Sequence, residues 1–165
     1  NPRLIPFYER TTQLGLDATW ARGNWLWKLE ARYRDGYLDP YFAATGGLEY
    51  TFYGFAGGKS DVGLVAEYVY DQRGDDPEMT SIFDDDVFLG LRLTPNDLAG
   101  TQVLVGFMQD VGDAENALSI EASRRFGNHW RLSLDVWFFL NAPKDNVIYY
   151  LRDDDFVRLE LAYHF

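Results

Sequence analysis

The 165-residue chain has no cysteine and only two histidines, His129 and His164. Disulfides, thiolate metal centres and cysteine nucleophiles are therefore excluded. Basic residues are scarce: 15 Lys and Arg stand against 26 Asp and Glu, a formal net charge of −11. A nucleic-acid surface needs a basic face, so nucleic acid is not expected as a partner. No run of about 18 apolar residues occurs, which rules out a transmembrane helix. Nor is there a signal-peptide pattern at Asn1-Pro2-Arg3, so any export signal is expected upstream or already removed. A helical period of apolar positions is absent over any useful length. Aromatic residues, by contrast, are abundant, with 5 Trp, 11 Tyr and 12 Phe.

The period that does occur is two. In Trp25–Arg34, Trp25, Trp27, Leu29, Ala31 and Tyr33 alternate with Leu26, Lys28, Glu30, Arg32 and Arg34. Leu132, Leu134, Val136 and Phe138 alternate in the same way with Arg131, Ser133, Asp135 and Trp137. This is the pattern of a strand with two unlike faces. Nine such segments are predicted, at 13–21, 25–34, 43–53, 61–71, 86–94, 102–110, 117–126, 130–139 and 155–165. Each is about nine to eleven residues long, the length a tilted strand needs to cross a bilayer. The connections alternate as well. Arg22-Gly23-Asn24 and Gly127-Asn128-His129 read as tight turns, and 54–60 and 95–101 are short. The intervening loops at 35–40, 72–85, 111–116 and 140–154 include two long, acid-rich ones.

Alternation alone also describes a soluble sandwich whose apolar face points inward. Two features favour the inverted arrangement. Aromatics collect near the strand ends, with Trp25, Trp27, Phe52, Phe126, Trp130, Tyr163 and Phe165 toward the tight turns. Tyr33, Tyr68, Tyr70, Phe107 and Phe138 lie toward the long loops. Two aromatic belts around an aliphatic band suit the two interfaces of a membrane. The opposite face carries charge of both signs at mid-strand, which an aqueous lumen tolerates.

The C-terminal residues Arg158-Leu159-Glu160-Leu161-Ala162-Tyr163-His164-Phe165 resemble the assembly signal of bacterial outer-membrane β-barrel proteins. Arg158, Leu161, Tyr163 and Phe165 match the family pattern, and Glu160 stands where the family usually has Gly. The resemblance implies an antiparallel transmembrane β-barrel in a bacterial outer membrane. The implied partners are outer-membrane lipids, lipopolysaccharide and the barrel assembly machinery. Residues 1–12 are expected as an extracellular loop leading into the first strand, and 13–165 as the barrel strands. Such barrels have even strand numbers with both termini in the periplasm. Nine strands are therefore expected to form the C-terminal part of a larger even-stranded barrel, with the upstream strands missing or on another chain. The other way to repair the count is an eight-stranded barrel that starts at Trp25.

The lumen-lining set is Lys28, Glu30, Arg32, Arg34, Glu49, Glu67, Arg92, Glu121, Arg125, Arg131, Asp135, Arg158 and Glu160. In a wide barrel these residues line an aqueous, porin-like channel for passive transport of small polar solutes or ions. In a narrow barrel they form a plugged, ion-paired interior, and the surface loops or a periplasmic partner carry the function. The acidic clusters Asp75, Asp76, Glu78, Asp84–Asp86 and Asp153–Asp155 lack the order of a dedicated calcium loop. They are expected as a solvated acidic rim. No metal or cofactor is expected. Catalysis is not expected either, because no histidine shares a depth with Ser119, Ser123 or Ser133. A lipid-modifying barrel enzyme is the remote alternative. Arg124 has the parity of the apolar face and is expected to snorkel to lipid headgroups.

Overall fold

The computed structural model describes residues 8, 10–36, 39–74, 81, 84–112, 115–141 and 155–165. The acidic residues Asp75, Asp76, Glu78, Asp153 and Asp154 lie outside the described residues, as does most of the 1–12 segment. Nine strands form: β1 (Thr12–Arg22), β2 (Trp25–Asp35), β3 (Tyr41–Phe52), β4 (Asp61–Asp71), β5 (Asp85–Thr94), β6 (Gln102–Asp110), β7 (Asn116–Phe126), β8 (Trp130–Asn141) and β9 (Phe156–Tyr163). They make one antiparallel sheet in chain order, each strand pairing with the next. The sheet is not closed, so β1 and β9 are its edges and run in the same direction. The expected strands agree to within two residues at every end. The last is shorter than expected and leaves His164 and Phe165 beyond it.

Local chemistry explains the tight ends. Gly23 has φ +60° in the two-residue connection between Arg22 and Trp25, and Asn24 follows at negative φ. Glycine at the first central position of such a hairpin costs no steric strain. Gly127, also at φ +60°, serves the Phe126–Trp130 connection. The two longer turns on this side are tied together by side chains. Asp61 accepts from the Gly54 backbone N–H at 2.9 Å and from the Asn96 amide at 2.8 Å. Asp97 accepts from both the backbone N–H and the hydroxyl of Thr101, at 2.8 and 2.7 Å. Between Gly54 and Ser60 the chain makes only a three-residue 3₁₀ turn, Phe55–Gly57.

Register places the faces. A row of directly paired residues runs Trp20, Trp27, Leu48, Ala66, Leu89, Phe107, Leu118, Phe138. Every member is apolar. Trp27 stands two residues into β2 and Phe138 eight residues into β8, and both strands start at a tight turn. The row therefore climbs six residues over six strand-to-strand steps. At about 3.4 Å per residue and about 4.8 Å between strands, this stagger corresponds to a tilt of about 35°.

The two faces differ in the opposite sense from a water-soluble sheet. On the polar face of the central strands, Gly63, Val65, Asp71, Asp86, Gly106, Asp110 and Ser119 are buried. On the other face of the same strands, Leu64, Tyr68, Tyr70, Leu89, Leu91, Leu93, Val105 and Phe107 are exposed. Glycines on the polar face let large side chains of neighbouring strands lie flat across the sheet. Phe88 covers Gly106, where a Cβ would collide with its ring. Glu49 reaches over Gly63, whose added Cβ would stand 2.6 Å from its Oε1.

Candidate functional site

The residues expected to line a lumen share one face. Lys28 pairs with Gly47, Glu30 with Thr45 and Arg32 with Ala43, while Glu49 pairs with Val65 and Glu67 with Phe88. One row across the face reads Arg92, Leu104, Glu121, Asp135, Arg158. Arg125, Arg131 and Glu160 follow toward the tight turns, with the same parity. The sequence parity is thus reproduced, and the structure adds which charges meet. Arg158 donates to Asp135 at 2.8 Å, and Arg92 donates to Glu49 at 3.2 Å across the Gly63 gap. Arg131 donates to the Ser123 hydroxyl at 3.1 Å. Arg32 lies over the Tyr41 ring at 5.3 Å. Among the described residues, Lys28, Glu30, Glu67 and Glu160 form no ion pair.

The charged row borders a recess of about 380 Å³ whose walls include Arg92, Glu121, Arg131, Asp135 and Arg158. The Arg92–Glu49 and Arg158–Asp135 pairs are partly open to solvent, so water screens them and each contributes modestly to stability. Their arrangement still fixes a field: two acids, Glu121 and Asp135, stand between Arg92 and Arg158 on a wall that also carries Ser133 and Gln102.

Toward the long loops lies a second row that sequence parity did not single out: Glu67, Phe88, Met108, Ala117, Phe139. Trp137 and Phe139 stack at 6.3 Å beside it. The polar face therefore carries an apolar band between two charged zones. Phe88 has the parity of Asp86, Gly90 and Arg92. Its role becomes visible only when the β5–β6 register sets Gly106 diagonal to it.

Beyond this band, Asp84, Asp86 and Asp110 each bring a carboxylate oxygen within 4.8 Å of the others. Asp86 is only 2% exposed and Asp110 only 7%. The expectation of a solvated acidic rim is corrected at these positions. The β5–β6 ladder pairs Asp86 directly with Asp110 and sinks both. Asp110 went unnoticed in the sequence because it stands alone at the end of β6, 24 positions from Asp86. Burial, and then the Asp110 carboxylate, hold the Asp84 carboxyl above its ordinary value. These three are the group of acidic side chains spaced to share a cation among the described residues. At the tight-turn end the sign reverses. The Thr101 backbone N–H and hydroxyl keep Asp97 below its ordinary value, with Arg124 adding to the effect at 3.6 Å.

His129 is in the tight turn, with Nδ1 2.9 Å from the His164 carbonyl oxygen and its ring 5.6 Å from Tyr163. Among the described residues, no serine is hydrogen-bonded to it. The four residues of the expected assembly signal divide between faces. Leu161 and Tyr163 lie on the apolar side of β9 and Arg158 on the polar side, while Phe165 follows the strand. Comparison with protein-family models, curated proteins and solved structures returned no match.

Proposed function

We propose that this chain forms nine strands of an even-stranded outer-membrane β-barrel that passes small polar solutes or ions passively through a charged lumen. One observation carries the reading. The central strands bury Asp71, Asp86 and Asp110 on one face while Leu64, Tyr68, Leu89, Leu91 and Phe107 stay exposed on the other. In water, so broad an apolar face is an interaction surface or an aggregation hazard. In a bilayer it is the surface that meets the hydrocarbon, and the polar face turns to the lumen. The tilt of about 35° worked from the register lies in the range for transmembrane barrels, about 35–45°.

The topology supports the even count. Strands β1 and β9 run in the same direction, so pairing them directly would make a parallel seam. Antiparallel closure requires an odd number of further strands between them, which other segments of the same barrel would supply. Lipids, lipopolysaccharide and the barrel assembly machinery follow as partners, and no catalytic role is assigned.

The test is a planar-bilayer recording of the closed barrel. Lys28→Glu or Arg92→Glu is expected to move the reversal potential under a salt gradient toward cation preference. An unchanged potential in both variants would contradict a conducting lumen. The Phe88–Met108–Phe139 row favours a second reading, a barrel whose interior is packed and whose loops or a periplasmic partner act. Absence of conductance in the folded protein would select it.

A further inference from the structure

Arg125 and Arg131 face each other directly across the β7–β8 hairpin, on the polar face at the tight-turn end. Like charges directly opposite destabilise a strand pair unless something offsets them. Two other like-charged pairs on this face have their compensation in view. Asp17 opposes Glu30, and Lys28 and Arg32 stand two positions to either side on β2. Glu121 opposes Asp135, which is bonded to Arg158. Around Arg125 and Arg131 the positions two away are Ser123 on β7, Ser133 on β8, and Gly127 and His129 in the turn between them. Ala162 is opposite Arg131 on β9, and Glu160, diagonal to it, forms no ion pair. Neither arginine has a carboxylate partner among the described residues.

Their donors are mostly unspent. A guanidinium offers five N–H groups. Arg131 uses one on the Ser123 hydroxyl. Arg125 makes two long contacts with backbone carbonyls, Leu98 at 3.4 Å and Ala99 at 3.5 Å. The two guanidinium groups border a recess of about 300 Å³ with Gly100, Gln102, Ser123 and Arg124. Gly100, at φ +60°, leaves room for the Arg125 guanidinium, since a Cβ there would stand 3.4 Å from its Nη2. Of the carboxylates around the two arginines, Asp97 pairs with Arg124 and Asp135 with Arg158, while Glu121 shares the adjoining recess with Arg131.

We infer that Arg125 and Arg131, with Ser123 and Gln102, form a binding site for a phosphate-type oxyanion. Two planar forks, a hydroxyl and a side-chain amide make a donor wall wider than one carboxylate uses, and guanidinium forks match phosphate oxygens. The anion supplies the charge that the hairpin lacks. The site draws on β6, β7, β8 and the turn before β6, so it stands whether or not the sheet closes into a barrel. Phosphate reaches this level either as a free solute on the polar face or as a lipid headgroup, because the Phe126 and Trp130 rings flank the same hairpin end.

The test is calorimetric titration of the full chain, folded in neutral maltoside micelles, with inorganic phosphate. Saturable binding is expected. Arg125→Gln and Arg131→Gln should each weaken it by about tenfold or more. Arg131→Lys, which keeps the charge but not the fork, should weaken it less than Arg131→Gln, and Arg22→Gln, at the other tight hairpin, should leave it unchanged. Far-UV circular dichroism establishes that each variant is folded. As a variant-free check, sulfate should compete with phosphate in the wild type while chloride at equal ionic strength should not. Micelles doped with phosphatidylglycerol separate the sources: loss of phosphate binding assigns the site to a headgroup, and retention assigns it to a solute. Heats that fail to saturate, binding that survives both glutamine variants, or equal competition by chloride would overturn the inference.

Discussion

Leu89 offers the sharpest test of which solvent the apolar face meets. It is the fifth of ten residues in β5, midway along the strand, and is 55% exposed. If that exposure is to water, Leu89→Arg forfeits less than half of a leucine's burial, which is worth about 1.5–3 kcal/mol when complete. The arginine stem replaces part of that contact, so the cost is at most about 1 kcal/mol. If the exposure is to hydrocarbon at mid-depth, a charge there costs about 2–4 kcal/mol. The two environments therefore differ by more than the error of a good unfolding curve. Leu98→Arg is the control, because Leu98 is 101% exposed in the turn before β6, outside the apolar band. The assay is reversible denaturant unfolding of both variants in vesicles, followed by tryptophan emission. The account predicts that Leu89→Arg loses about 2 kcal/mol or more while Leu98→Arg stays within about 0.5 kcal/mol of the wild type. Equal, small losses in both would refute the assignment of this face to lipid.

Three further outcomes follow from individual contacts. Gly106→Ala should cost about 1–3 kcal/mol by pushing the Phe88 ring off the sheet, and a Phe88→Leu background should remove most of that cost in a double-mutant cycle. Arg158→Gln should cost no more than about 1 kcal/mol because its ion pair with Asp135 is solvent-screened, and the loss should shrink in molar salt, read by thermal melting. The Asp84 carboxyl is raised above its ordinary value of 3.8 by burial and by Asp110, so the folded state holds this proton more tightly than the unfolded one. Its contribution to stability is thus present at low pH and is lost as pH rises from the ordinary value through the raised one. Asp84→Asn should flatten that slope in pH-dependent melts, and a slope identical to the wild type would contradict the assignment.

The fold's strand content was legible because its physics is local. Alternation at Trp25–Arg34 or Leu132–Phe138 reports two unlike environments, and Gly23 and Gly127 mark turns that need positive φ. The common polar face of Lys28 through Glu160 followed from the same period. What stayed hidden depends on register between strands. The Asp86–Asp110 pair and the fit of Phe88 over Gly106 require the β5–β6 ladder, joined by a connection whose length does not fix which residues oppose. The Arg125–Arg131 opposition was closer to legible. The Gly127–His129 turn sets Phe126 against Trp130, and counting back one residue on each strand gives the pair. Closure was not legible at all, because period two is the same in an open sheet and in a barrel.

The measurement that bears most directly on the central claim uses the absence of cysteine. Single cysteines placed one at a time along β4, from Val62 to Tyr70, can carry a nitroxide without background labelling. In vesicles, spin-relaxation accessibility to oxygen and to a water-soluble nickel chelate then reports the solvent at each position. The account predicts period two: oxygen dominates at Leu64, Ala66 and Tyr68, and the chelate dominates at Val65, Glu67 and Val69. Chelate access at both sets of positions, or a chain that never leaves the aqueous fraction, would contradict it.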